Sequence, residues 1–276
     1  HPRVRDIAMR RLLIAGLVLD DSDGYHNEAV EKVVALFRIA MADSSTWWGG
    51  KYYSFLVPVV RNSVESETTT EETRDRLLGQ LTDVADHELF EESLSRMSDM
   101  VLRFYDNLPR TDGNIVESVW GWSYRYMGQP ILNDNKHDFC KEMGQILQLA
   151  PLPYWEAEPE LERLEHEGML TDEESLYIWQ MDPRAFSSYI SSFGFEGQAH
   201  LESTANLLRL GILLEQYKRE HDQYPERLDA LADAFGGTLP VNAFTGEPYD
   251  YHSDKNTFSL AYTYQDDKGE EKTVEW

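Results

Sequence analysis

The sequence predicts a mainly α fold of helical hairpins with a small C-terminal α+β part, a long helix followed by a short antiparallel β-meander. Three observations predict it. Apolar residues recur at helical spacing from Val4 to about Thr204. A wide stripe of Leu201, Ala205, Leu208, Ile212, Leu213 and Tyr217 marks one long helix over about 198–222. Beyond it the period shortens to two, with Phe258, Leu260 and Tyr262 alternating with polar neighbours. The expected division is a helical body at 1–197 and a helix-plus-meander part at 198–276.

The elements follow in order. Ile7, Met9, Leu12, Leu13, Leu17 and Leu19 form a first helical stripe, stopped by the turn Asp20-Asp21-Ser22-Asp23-Gly24. A second helix is expected from His26 to Ala42, with Val30, Val33, Val34, Phe37 and Met41 inside. Trp47 to Val64 continues the helical layer, and Ser66 to Thr70 reads as a polar linker. It ends in a capping box with Thr69 as N-cap and Glu72 reaching back. Further helices are expected over 70–86, 87–107, 112–126 and 134–149, the last capped by Asn133 and Asp134. Pro151, Pro153 and Pro159 are expected to break the pattern. Acid-rich helices joined near Gly168 and a helix over 172–192 then precede the long one, which Gly194 and Gly197 lead into. After Pro225 come a short helix over 226–234, a stop at Gly236-Gly237, and strands near 249–252, 257–264 and 272–276.

Composition limits the partners. Of 276 residues, 41% are hydrophobic, enough for a real core. Against 50 Asp and Glu stand 25 Lys and Arg, a net charge of −25 that repels phosphate backbones and anionic lipid. Nucleic acid is therefore excluded as an expected partner, while cations fit the field. Cys140 is the only cysteine, so neither an intrachain disulfide nor a cysteine-based zinc site can form. The apolar run Leu12 to Leu19 falls far short of the ~20 residues that span a bilayer. Any signal peptide or anchor, and with it any hold on the membrane, is expected to lie ahead of residue 1.

The tail carries a recognisable order of short signals: Tyr217, Tyr224-Pro225, Leu239-Pro240 and Phe244-Thr245-Gly246-Glu247-Pro248. Over roughly 200–270 it resembles the globular end of type II secretion pseudopilins, where a long helix leads through such signals into a small sheet. This chain has Asn242-Ala243 where that family often has Asp-Pro. It also has helical protein where a pseudopilin has its membrane-anchored helix, and Arg209 interrupts the apolar run Leu207 to Leu214. Across both parts the chain resembles exported or membrane-anchored bacterial proteins of planctomycete type, with a helical body and a pseudopilin-like tail. The resemblance implies a periplasmic or extracellular location and names no reaction.

The same punctuation has its own physics. Tyr-Pro ends the helix sharply, Gly246 supplies a positive φ, and Pro248 starts a strand where no ladder donor is needed. Major pseudopilins bind calcium near their last strands, and the resemblance makes calcium the candidate ion here. The matching region holds Asp250, Asp254, Asp266 and Asp267, with Glu270 beside them. Aromatics offer a second candidate site. Trp120, Trp122, Tyr124 and Tyr126 alternate in SVWGWSYRYMGQP, and Trp47-Trp48 adds a pair. Such rings hold sugars by stacking or fill gaps between packed helices. For an enzyme, no nucleophile elbow, H-E-x-x-H, P-loop or dinucleotide fingerprint is present. His137 and Cys140 stand one helical turn apart without a third group to orient them. The expectation is a non-catalytic binding or scaffolding role at the cell envelope, toward an envelope protein or glycan. The alternative is a glycan or peptide hydrolase with a carboxylate-based site near the aromatic stretch.

Overall fold

A computed structural model describes residues 24–42, 56–66, 68–85, 87–107, 136–166, 194–266 and 269–276. The chain is mainly helical, with a three-stranded antiparallel sheet at its C-terminal end. The helices are α1 (His26–Ala42), α2 (Leu56–Glu65), α3 (Glu71–Val84), α4 (His87–Asn107), α5 (136–149), α6 (Tyr154–His166) and α7 (Phe195–His221). A 3-10 helix, Leu228–Phe235, precedes strands β1 (Asp250–Ser253), β2 (Phe258–Gln265) and β3 (Glu271–Glu275). The helices expected over 7–19, 112–126 and 172–192, and the caps at 133 and 134, lie outside the described residues. Among the described residues no helix is long and apolar enough to cross a membrane.

The contacts divide the chain differently from the expected 1–197 and 198–276. One compact unit joins the described residues up to 85 with Gly197–Trp276, and the other is His87–Glu196. The reason is a shared core. Val30, Val33 and Val34 of α1, Leu56 and Val60 of α2, and Leu77 and Leu81 of α3 are buried in one apolar cluster with Leu207, Leu208, Leu210, Ile212 and Leu214 of α7. Leu260, Tyr262, Val274 and Trp276 complete it. The stripe expected on α7 is in fact most of its circumference: from Ser203 to Ile212 every residue except Arg209 is buried. A helix covered all round is a central element rather than a surface one.

Local chemistry sets the element ends. The N-cap of α3 is Thr70 rather than Thr69, and its hydroxyl accepts from the Thr73 amide at 3.2 Å. Thr69 is buried, and its hydroxyl donates to the Ser63 carbonyl at the end of α2, so tertiary packing claims it. Asn27 of α1 clamps the same linker, donating to the Thr68 carbonyl and accepting from the Thr70 amide. Pro159 does not break a helix. It sits on an exposed position inside α6. The single backbone bond lost there is offset by burial of Ala157, Leu161 and Leu164 on the opposite side. In this second unit Phe90 of α4 also meets Phe195 edge-on, with ring centroids 5.0 Å apart.

The short helix after Pro225 is 3-10 rather than α. It ends where Gly236 and Gly237 take φ of 71° and 98°. Gly246 has φ 71°, the turn conformation expected of it, and an isolated bridge pairs Val241 with Pro248. In the sheet, Asp250 pairs with Ala261 and Ser253 with Phe258, while Ala261 pairs with Glu275 and Gln265 with Glu271. This register puts Leu260 and Tyr262 on the core face. The last residue closes the sheet onto the helix. Trp276 donates its amide to the Leu260 carbonyl at 2.9 Å. Its indole lies so close to Gly211 that a Cβ there would meet ring carbons at 2.3 Å.

Candidate functional site

Where the tail meets α7, the first unit holds a buried polar cluster. The Ser203 hydroxyl donates to Asn242 Oδ1 at 3.3 Å and accepts from the Ala243 amide at 3.0 Å. The Ser203 carbonyl accepts from the Tyr249 hydroxyl at 2.9 Å. Asn242 Nδ2 donates to the Thr263 carbonyl at 2.7 Å, and Oδ1 also accepts from the Phe244 amide. Thr204 and Tyr262 share a hydroxyl–hydroxyl bond of 3.0 Å. His200, 2% exposed, stands edge-on to Phe244 and Tyr264 with centroids at 4.6 and 4.4 Å. Burial pushes the Tyr249 and Tyr262 phenols up, so both remain protonated.

Serine, histidine and asparagine side chains in one junction are the residue types of acyl-transfer chemistry. Their geometry serves another purpose. Ser203 is fully buried, and its hydroxyl is committed both as donor and as acceptor within the turn. A nucleophile needs a free, approachable oxygen with a base aligned on it. The arrangement instead holds the Leu239-to-Pro248 segment on α7, with the buried Ser203, Asn242, Thr204, Tyr249 and Tyr262 side chains paired to one another or to backbone.

A second cluster lies at the C-terminal end of α7. Arg219 donates to the Val64 carbonyl at 2.7 Å, and Arg74 of α3 donates to the Ser66 carbonyl at 3.3 Å. Both satisfy carbonyls at the C-terminal end of α2, where no intrahelical donor follows. Glu215, 8% exposed, accepts from the Tyr224 hydroxyl at 2.8 Å. Lys218 lies over the Tyr224 ring at 4.6 Å and donates to the Asn256 carbonyl. Tyr251 and Ser253 both donate to the Pro225 carbonyl at 2.7 Å. The Tyr-Pro signal is thus the anchor of the strand β1 end as well as a helix stop. Arg209, the charge inside the apolar run, places its guanidinium 4.5 Å over the Phe235 ring.

The carboxylates proposed for calcium are dispersed. Asp254 lies in the β1–β2 turn, and its Oδ1 accepts from the Asn256 and Thr257 amides at 2.7 and 2.8 Å. Asp266 lies in the β2–β3 turn, where Oδ1 accepts from the Glu270 amide and Lys272 Nζ stands 3.5 Å from Oδ2. Seven residue steps of β2 separate these turns, about 23 Å at ~3.3 Å per step. Asp254 and Asp266 therefore cannot share an ion whose ligands lie at ~2.4 Å. Asp250, on the β1 edge, faces His252 at 3.0 Å. Asp267 lies outside the described residues, as do Trp47, Trp48, Trp120, Trp122 and Tyr126. Among the described residues no group of three or more His, Cys, Asp or Glu side chains is gathered as a metal ion would require. His137 and Cys140 both occupy exposed positions of α5. A wide-open groove of about 510 Å³ runs along α1, lined by Asn27, Glu28, Glu31, Lys32 and Ala35. Two of its residues already serve the fold, Asn27 in the linker clamp and Glu31 in a 2.6 Å pair with Arg76.

No protein-family profile, curated protein or solved structure matches the chain.

Proposed function

We propose that the chain is an exported envelope protein with a non-catalytic binding or scaffolding role, and that its C-terminal part is pseudopilin-like. The observation that carries the first half is the commitment of the junction's serine, asparagine and tyrosines to one another inside the fold. The second half is supported by order. A long helix, Tyr-Pro, Leu-Pro, a positive-φ glycine turn and a three-stranded meander follow one another along Phe195–Glu275. The partner class is an envelope protein or glycan, reached in the periplasm or outside the cell. A net charge of −25 argues against nucleic acid.

Two measurements test this together. A reporter enzyme that folds only outside the cytoplasm, fused to the full-length gene product, should be active. The purified chain should co-sediment saturably with isolated cell-wall glycan or with envelope membranes, releasing no reducing ends or free amines. Turnover of either material would establish the hydrolase alternative instead. A silent reporter, or no sedimentation with any envelope fraction, would overturn the proposal.

A further inference from the structure

Glu215 is a buried carboxylate with little to keep it charged. Its hydrogen bond comes from Tyr224, and among the described residues no lysine or arginine pairs with it. The cations around it are engaged elsewhere: Arg219 with the Val64 carbonyl, Arg74 with the Ser66 carbonyl, Lys218 with the Asn256 carbonyl. Glu65, at the end of α2, adds a like charge, Glu71 of α3 faces Arg74, and Tyr251 of β1 lies beside Tyr224.

We propose that Glu215 is a proton-binding joint, neutralised by mild acid, whose neutral form packs α7 more stably against α2, α3 and the Tyr-Pro turn. A carboxylate removed from water without an ion pair is costly, and taking up a proton cancels that cost. Burial raises the proton affinity of Glu215 most, and Glu65 adds to it; the Tyr224 hydrogen bond, Arg219 and Lys218 oppose and are outweighed. With the folded-state value raised above the ordinary 4.5, the contribution of this group to stability is complete below 4.5. It is lost as pH rises through the folded-state value. The inference concerns the fold of the first unit and is independent of the envelope role.

Melting curves of the wild type, Glu215→Gln and Tyr224→Phe from pH 5 to 8 test it. Relief of the general negative charge affects all three alike, so the differences isolate this site. Glu215→Gln should melt higher than wild type at pH 7, by about 3–5 °C for each tenfold gain in proton affinity on folding, with the gap closing toward pH 5. Tyr224→Phe removes the donor, so its acid stabilisation should begin at a higher pH than in the wild type. A purely structural hydroxyl would give a Tyr224→Phe curve parallel to wild type, and that would overturn the proposal. So would a Glu215→Gln protein that melts lower at pH 7 or does not fold.

Discussion

Gly211 shows how far one residue can depend on another remote in sequence. In an exposed helix, replacing glycine by alanine gains about 1 kcal/mol. Here the added methyl would stand 2.3 Å from the Trp276 ring, where carbon contacts are comfortable at ~3.5–4.0 Å. Overpacking of that kind costs about 1–3 kcal/mol, so crowding outweighs propensity. Gly211→Ala should lower the melting temperature, while Trp276→Ala alone should cost about 3–5 kcal/mol through the lost indole. The double variant should lose less than the sum, because the clash vanishes with the ring. A neutral or stabilising Gly211→Ala would count against the contact. Nothing local marked this glycine in the sequence, since its partner is 65 positions away (276 − 211). Asn242-Ala243 was legible only as a departure from Asp-Pro. The structure supplies its reason: Asn242 Nδ2 donates to the Thr263 carbonyl, which an aspartate could not do, and the Ala243 amide donates to Ser203, which a proline could not do.

At the scale of elements, periodicity was a reliable guide where an element's own residues decide it. His26–Ala42 coincides with its expected span, and all three strands fall within one or two residues of theirs. The differences arise where tertiary partners intervene. Thr69 yields the cap to Thr70 because Ser63 takes its hydroxyl, and Pro159 is carried along by three buried neighbours. The acidic turns show the same lesson for the candidate site. Sequence proximity suggested one carboxylate cluster, whereas an antiparallel meander sends consecutive turns to opposite ends. Asp254 is a turn residue first: two amides and the Thr257 hydroxyl hold its carboxyl below the usual range. With a lowered folded-state value, its contribution is present above the ordinary 3.8 and lost as pH falls through the folded value. Asp254→Ala should therefore raise hydrogen exchange at the Asn256 and Thr257 amides at pH 6. Wild type should approach that faster exchange, after correction for intrinsic rates, only below about pH 4. Unchanged exchange in the variant would show that the hairpin is held by its ladder alone.

The first unit is organised around α7, which α1, α2 and α3 and the C-terminal sheet cover together. Sequence reading placed the boundary where the hydrophobic period changes, because periodicity reports an element's own conformation and not which partner covers it. The consequence is a sharp difference between this protein and residues 198–276 taken alone. Cutting at residue 198 would strip away α1, α2 and α3, which share one apolar cluster with Leu207, Leu210 and Leu214. Each leucine so exposed forfeits about 1.5–3 kcal/mol of burial, enough for three to cancel much of a domain's net stability of about 5–15 kcal/mol. The fragment 198–276 should accordingly bind a hydrophobic dye, self-associate and lack a cooperative melt. Adding residues 1–86 as a separate chain should suppress dye binding and restore cooperativity, since the missing cover is then supplied in trans. A fragment 198–276 that melts cooperatively as a monomer, with no dye binding, would show that the meander alone suffices for α7. The discontinuous unit would then be two independent modules that touch.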